Sequence, residues 1–119
     1  MRKLIALVAF ALLVPAPAAW AKERHVQLLA APTAPRAGHA WNATIRVRTD
    51  GELSPGRAPT LRIVSAAGRA TDVPAQATAN PGIYRVRAVF PAAGRWRVIV
   101  IDGETGRAYA FGRVRVRTA

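Results

Sequence analysis

The side chains with the clearest capacity for chemistry in this sequence are arginines that alternate with apolar residues. The pattern occurs at residues 45–48 (IRVR), 84–90 (YRVRAVF), 95–101 (RWRVIVI) and 113–117 (RVRVR). Guanidinium groups bind carboxylates and phosphates through paired N–H donors, and they stay charged at any physiological pH. The residues therefore predict non-covalent binding of anions. The formal net charge of +12, from 18 basic and 6 acidic residues, agrees in sign with that chemistry.

The alternation also predicts which way these arginines point. A period of two is typical of a half-buried β-strand, with apolar side chains inward and polar side chains in water. In the usual arrangement of a two-sheet sandwich, the outward arginines divide between the sheets. One sheet carries Arg46, Arg48, Arg85 and Arg87, and the other carries Arg62, Arg95, Arg97, Arg113, Arg115 and Arg117.

We predict that the second of these groups is the binding site, for an acidic partner protein or for an anionic polymer or lipid surface of the cell envelope. Like charges directly opposite each other in a sheet repel, so stacked cations are a structural cost that binding would explain. Nucleic acid is less favoured, because the pattern has no row of aromatic side chains for base stacking. The alternative is that the arginines only solvate both faces, with their stems over apolar surface and their head groups in water.

The elements that carry these arginines are short strands separated by turns. Strands are predicted at residues 24–30, 41–49, 60–64, 71–75, 84–90, 96–101 and 108–118. Seven strands at this spacing predict an all-β fold, an antiparallel immunoglobulin-like β-sandwich, with an open barrel as the main rival. Trp41 and Trp96 are expected to anchor their strands in the core. A parallel α/β sheet is disfavoured because no connection is long enough for a crossover helix.

Residues for a metal site or for catalysis are few. His25 and His39 are weak metal candidates that could meet near the sandwich edge, and the chain has no cysteine and no methionine besides Met1. We therefore predict no metal and no cofactor. Two Asp-Gly-Glu turns, at 50–52 and 102–104, favour pairing with guanidinium groups over calcium binding. Neither serine lies in a nucleophile motif, so the protein is not predicted to be an enzyme.

The first 21 residues read as a secretory signal peptide. Arg2 and Lys3 precede an apolar run at residues 4–14, and Ala19-Trp20-Ala21 supplies an A-x-A cleavage pattern. The run is shorter than the roughly 20 apolar residues of a membrane span, so no transmembrane segment is predicted. Cleavage after Ala21 would leave residues 22–119 as a single domain without disulfides. The expected location is secreted or periplasmic.

The second half of the chain resembles a known family of domains. The carrying positions are G-x-Y, an alternating apolar strand and A-G-x-W-x-V-x-V, in this sequence Gly82, Tyr84, Val86, Phe90, Ala93, Gly94, Trp96, Val98 and Val100. The pattern is similar to bacterial exported immunoglobulin-like domains of the YtkA-like and FixH-like kind, whose architecture is CopC-like, and it shares its rhythm with filamin-type repeats. The resemblance implies an exported, non-enzymatic sandwich, in some members tied to copper handling or oxidase maturation. The Met and His cluster of the metal-binding members is missing here from residues 63–77, so the metal function does not carry over. The alternatives to a binding domain are a copper-handling or oxidase-maturation accessory protein and a structural spacer domain without a ligand.

Overall fold

The computed structural model describes residues 23–30 and 34–119. The predicted signal peptide, residues 1–21, and its cleavage site lie outside the described residues. Within them the chain is all-β, with nine strands and no helix. The strands are β1 (Arg24–Ala30), β2 (Ala40–Thr49), β3 (Glu52–Leu53), β4 (Thr60–Val64), β5 (Ala70–Pro74), β6 (Gln76–Ala77), β7 (Ile83–Val89), β8 (Gly94–Ile101) and β9 (Ala108–Val116). No helix among the described residues has the length and apolar character needed to cross a membrane.

The strands form two antiparallel sheets. The first sheet has the order β1-β2-β7-β6, with β3 also paired to β2, and the second sheet has the order β5-β4-β8-β9. This division is the immunoglobulin arrangement, in which strands A, B, D and E form one sheet and strands C, F and G form the other. Here β1, β2, β6 and β7 correspond to A, B, D and E, and β4, β8 and β9 correspond to C, F and G, with β5 added at the edge of the second sheet. The predicted sandwich is therefore confirmed, and the open barrel is not what the chain forms.

The core lies between the sheets and is built from alternate residues of each strand. On β2 the buried residues are Trp41, Ala43, Ile45 and Val47, as the alternation predicts. Phe90 is fully buried between the two tryptophans, and its ring centroid lies 5.5 Å from that of Trp41 and 5.5 Å from that of Trp96 in edge-to-face geometry. Such aromatic pairs add about 0.5–1.5 kcal/mol each beyond the burial of area. Both tryptophans thus anchor their strands as expected.

Two very short strands were not predicted from the sequence. Asp50 (φ 52°) and Gly51 (φ 81°) form a two-residue turn with both φ values positive, and β3 pairs back onto the end of β2 through it. Asp-Gly favours this turn type, but Pro55 follows closely and supplies no amide hydrogen to extend the pairing. The second case is β6, which belongs to the first sheet although β5 belongs to the second. The chain crosses between the sheets at buried Ala75, whose amide donates to the carbonyl of Pro59 at 3.0 Å.

Gly82 holds the start of β7 against the β2–β3 hairpin. Its φ is 82°, and its carbonyl accepts a hydrogen bond from the amide of Val47 at 2.9 Å. A Cβ atom added there would lie 2.8 Å from the amide nitrogen of Ser54 and 3.0 Å from the carbonyl oxygen of Val47. Both of these atoms belong to the backbone and already bond each other, so they have little freedom to move away.

We expect Gly82→Ala to lower the free energy of unfolding more than Gly51→Ala does. The two glycines have nearly the same φ, 82° and 81°, so the left-handed strain is common to both variants. An added Cβ at Gly51 meets nothing within 4 Å, whereas at Gly82 it meets backbone. Overpacking of this kind should cost Gly82→Ala about 1–3 kcal/mol more, measured by urea unfolding. Equal losses in the two variants would contradict the close approach described here.

Candidate anion-binding surface

Four arginines form a compact cluster on the outer face of the second sheet. Arg95 of β8 is directly opposite Arg115 of β9, and Arg97 is directly opposite Arg113. Directly opposed side chains in an antiparallel pair have Cβ atoms about 5 Å apart, and alternate residues along a strand lie about 6.7 Å apart. We call Arg95, Arg97, Arg113 and Arg115 the arginine cluster. All four residues are exposed.

None of the described acidic residues forms an ion pair with the cluster. Five of the chain's six acids lie together at the end of the sandwich formed by the start of β1, the β2–β3 turn and the β8–β9 loop. These acids are Glu23, Asp50, Glu52, Asp102 and Glu104. Arg95 precedes Asp102 by seven residues of extended chain, a separation of about 23 Å. Since this exceeds the screening length of about 8 Å at physiological salt, the acids do little to neutralise Arg95.

The two other residues of the predicted site differ from the cluster. Arg62 of β4 donates from Nε and Nη2 to the two carboxylate oxygens of Asp72 at 2.7 and 2.9 Å. The hydrogen bond from Arg62 lowers the pKa of Asp72, so both groups are charged at neutral pH and their charges offset each other. Arg117 follows β9, its backbone bonds to Pro35 and Ala37, and it lines one cleft together with Arg115 and Arg95. Arg117 therefore adjoins the arginine cluster, whereas Arg62 does not contribute an uncompensated charge to it.

The arginines of the first sheet lie on its outer face, as predicted, but they are dispersed. Arg85 is opposite Thr44 and Gln76, and Arg46 is opposite Gln27 and Ile83. Similarly, Arg87 is opposite Asn42, and Arg48 is opposite His25 and Leu53. No two arginines of this sheet are directly opposed. The four arginines of this set differ from the four of the cluster in that none of them is directly opposed to another arginine.

The two histidines are not brought together. His25 lies on β1 opposite Arg48, and His39 immediately precedes Ala40 at the other end of β2. Nine residues of extended chain, about 30 Å, separate His39 from Arg48. His25 instead lies 3.4 Å from a carboxylate oxygen of Glu23. The described part of the chain contains no group of three or more His, Cys, Asp or Glu side chains that could hold a metal ion.

Sequence reasoning missed a buried ion pair that links the sheets. Asp102 is only 2% exposed, and Arg24 donates to both of its carboxylate oxygens, from Nη2 to Oδ1 at 2.8 Å and from Nε to Oδ2. The Thr105 hydroxyl donates to Oδ2 at 2.8 Å and the Glu104 amide donates to Oδ1 at 3.2 Å. Each oxygen thus accepts two hydrogen bonds, which fills its two lone-pair positions. The sequence did contain a signal for this pair. Arg24, Val26 and Leu28 are alternate residues of one strand, so Arg24 lies on the same inward face as the two apolar residues.

These contacts determine the protonation of the pair. Burial alone would raise the pKa of Asp102, but the hydrogen bonds from Arg24, Thr105 and the Glu104 amide outweigh it, and the pKa is lowered. The hydrogen bond to Asp102 likewise raises the pKa of Arg24. Arg24 also donates to the hydroxyls of Thr49 at 3.2 Å and Ser54 at 3.3 Å. The pair therefore remains charged and ties β1, the β2–β3 region and the β8–β9 loop together.

The fold and this surface define an immunoglobulin-like β-sandwich with an unneutralised arginine cluster on one outer face. Comparison of the chain with protein-family models and with curated proteins returns no match. The resemblance to YtkA-like and FixH-like domains accordingly rests on the sequence pattern described above.

We expect Asp102→Asn to destabilise the protein strongly and Asp72→Asn to do so weakly. Both changes remove one partner of a bidentate Arg–Asp pair, but only Asp102 is buried, and loss of a buried partner leaves Arg24 without a counter-charge. The cost for Asp102→Asn should be about 3 kcal/mol in urea unfolding at pH 7. Equal small losses in both variants would contradict the role given to burial.

The same variants predict how stability depends on pH. Because the folded-state pKa of Asp102 lies below its unfolded value of about 3.9, its contribution is complete above that value and is lost as the pH falls through the folded pKa. The wild-type protein and Asp72→Asn should therefore lose stability steeply in that acid range. Asp102→Asn should show a flatter profile there. A wild-type slope that Asp102→Asn leaves unchanged would contradict the assignment.

We further expect the double variant Arg97→Gln/Arg113→Gln to be more stable than the wild-type protein. The change removes two like charges that stand directly opposite each other, a repulsion of about 0.2–1 kcal/mol. The matched control is Arg46→Gln/Arg85→Gln, which removes the same net charge from arginines that oppose neutral residues. Urea unfolding should show the larger gain for Arg97→Gln/Arg113→Gln. If the free energy of unfolding rises no more than in the control, directly opposed arginines do not destabilise the sheet.

Proposed function

We propose that the protein is an exported, non-enzymatic binding domain that engages a polyanion of the cell envelope or an acidic partner through the arginine cluster. The observation that carries the proposal is the two pairs of directly opposed arginines, Arg95 with Arg115 and Arg97 with Arg113. Such pairs lower the stability of a sheet, and nothing in the described core depends on them. A bound anion would convert the repulsion into attraction, because each guanidinium group would then face opposite charge.

The distribution of acids supports the same proposal. A surface with four arginines and no ion pair to a described acid produces a positive potential that raises the local concentration of anions and accelerates their association. The first sheet's dispersed arginines contribute to the net charge but do not present paired donors. We therefore assign binding to the second sheet, with Arg117 at the edge of the surface and Arg62 outside it, since Asp72 offsets its charge.

Export and the lack of enzymatic activity are parts of the proposal that rest on the sequence. The pattern of residues 1–21 supports export, and the YtkA-like and FixH-like resemblance supports an exported accessory domain. The hydroxyls of both serines already take part in local hydrogen bonds: Ser54 accepts from Arg24, and Ser65 accepts from the amide of Arg69 at 3.0 Å. These serines have the role of structural acceptors in the described chain, which favours binding over nucleophilic catalysis.

The test compares two quadruple variants of equal net charge. One replaces Arg95, Arg97, Arg113 and Arg115 with Gln, and the other replaces Arg46, Arg48, Arg85 and Arg87 with Gln. We expect the wild-type protein to bind phosphatidylglycerol vesicles and soluble poly-anions, with affinity that falls steeply between about 50 and 200 mM salt. The second-sheet variant should lose this binding, and the slope of log K against log salt should shrink by about 3 for a polymer.

The first-sheet variant should retain most of the affinity and the salt slope. Circular dichroism and urea unfolding verify that both variants are folded. If the two variants lose affinity equally, the binding reflects net charge alone and the assignment to the second sheet is wrong. Absence of binding by the wild-type protein at low salt, to vesicles and to every soluble poly-anion, would reject the proposed function.

A further inference from the structure

Two clefts open on the arginine cluster, one on each side of Arg95. The first cleft has a volume of ≈ 520 Å³ and is lined by Arg95, Arg115 and Arg117, together with Thr118. The second has a volume of ≈ 270 Å³ and is lined by Arg95, Arg97 and Arg113, together with Ser65. Arg95 thus contributes to both clefts, and each cleft receives arginines from both β8 and β9. The surface offers two neighbouring positions for anionic groups.

A residue with a hydroxyl group also lines each cleft, Thr118 in the first and Ser65 in the second. The Ser65 hydroxyl oxygen accepts from the amide of Arg69 at 3.0 Å, which leaves its own hydrogen free to point elsewhere. Three arginines and one residue with a hydroxyl group line each cleft, so a bound group would be approached from several directions.

The approach from two strands distinguishes phosphate from carboxylate. A carboxylate is planar, and one bidentate guanidinium group occupies the edge that carries both of its oxygens. A phosphodiester is tetrahedral, so its two charged oxygens and its ester oxygens can accept donors from opposite sides. Arg95 on β8 and Arg115 on β9 flank the first cleft in this way, and Arg97 and Arg113 flank the second.

Building on the proposed function, we infer that the ligand is a linear polyol-phosphate polymer that places successive phosphodiesters in the two clefts. Arg113, Arg115 and Arg117 follow each other at every second residue, with a spacing of about 6.7 Å. A phosphodiester chain with three-carbon linkers has six bonds per repeat, which span about 7 Å when extended, since three backbone bonds span about 3.6 Å. The arginine spacing and the phosphate repeat therefore match along the strand direction.

Nucleic acid shares the phosphodiester chemistry but fits the surface less well. The described residues that line the two clefts include no aromatic side chain on which a base could stack. The arginines of the clefts would bind the charged backbone of a polymer, and a small polyol linker would need no further contact with the protein. We therefore expect glycerol-phosphate oligomers to bind more tightly than single-stranded DNA with the same number of phosphates.

The test measures the affinity of the purified protein for three sets of probes by isothermal titration at one low salt concentration. The probes are glycerol-phosphate oligomers with one to four phosphates, glutamate peptides and single-stranded DNA oligomers of matched charge. We expect about a tenfold gain in affinity from one phosphate to two, because the second group binds intramolecularly. Glycerol-phosphate oligomers should bind about tenfold more tightly than glutamate peptides of equal charge, a difference of about 1.4 kcal/mol.

A pair of variants tests the two clefts separately. Arg97→Gln/Arg113→Gln should keep the affinity for a single phosphate and lose the gain from the second, because the first cleft is left with Arg95, Arg115 and Arg117. Arg46→Gln/Arg85→Gln, of the same net charge, should retain the whole length dependence. If Arg97→Gln/Arg113→Gln weakens every oligomer by the same factor, the two-cleft arrangement is wrong.

The outcomes separate this inference from the proposed function. Equal affinity for glutamate peptides and glycerol-phosphate oligomers, lost in the variant with the cluster arginines replaced, would overturn the phosphate inference and leave the proposed function standing. Tighter binding of DNA than of glycerol phosphate would also overturn the inference. Failure of all three probe sets and of vesicles to bind would overturn both.

Discussion

The carboxylate of Asp102 is enclosed between two sheets, and the rest of this end of the molecule is arranged to keep it charged. Removing a carboxylate from water is costly unless its oxygens are fully hydrogen-bonded and a cation compensates its charge. Arg24 supplies the charge, and Thr105 and the Glu104 amide supply the remaining donors. Because these partners come from β1 and from the β8–β9 loop, one ion pair fixes how the two sheets meet. The buried Tyr84, whose hydroxyl donates to the carbonyl of Gly56 at 3.1 Å, adds a neutral contact at the same end.

The arginine cluster arises because β8 and β9 are neighbours and both carry arginine at alternate outward positions. Both sheets carry outward arginines at alternate positions, but only the β8–β9 register sets arginine opposite arginine. In the first sheet the corresponding registers set these arginines opposite threonine, asparagine, glutamine, histidine, isoleucine or leucine. A shift of β9 by two residues in one direction would set Arg95 opposite Arg117 and Arg97 opposite Arg115, so arginine would still face arginine. The pairing therefore follows from which strands are neighbours in the sheet, and the amino-acid content alone does not reveal that.

Alternation in the sequence predicts the strands, their inward faces and the division of the arginines between sheets, because a period of two has one structural meaning. It could not predict β3, whose two residues are too few for a periodic signal and depend on the Asp50-Gly51 turn. The pairing of Arg62 with Asp72 could not be predicted either. Asp72 lies on a strand with few large apolar residues, so alternation gives little indication of which way its side chain points. Arg24 was overlooked for a different reason: a charged residue at the end of a strand is usually solvated, and its inward parity alone does not reveal a partner 78 residues away.

The gathering of acids at one end gives the molecule an electric dipole. Five negative side chains lie near the β2–β3 turn and the β8–β9 loop, whereas the positive cluster lies toward the opposite end of β8 and β9. In the field of a negatively charged surface such a body experiences a torque before it makes any contact. It would arrive with Arg95 and Arg115 leading and with the start of β1 trailing. The end of the sandwich that contains the start of β1 would then face away from the charged surface and stay accessible to other molecules.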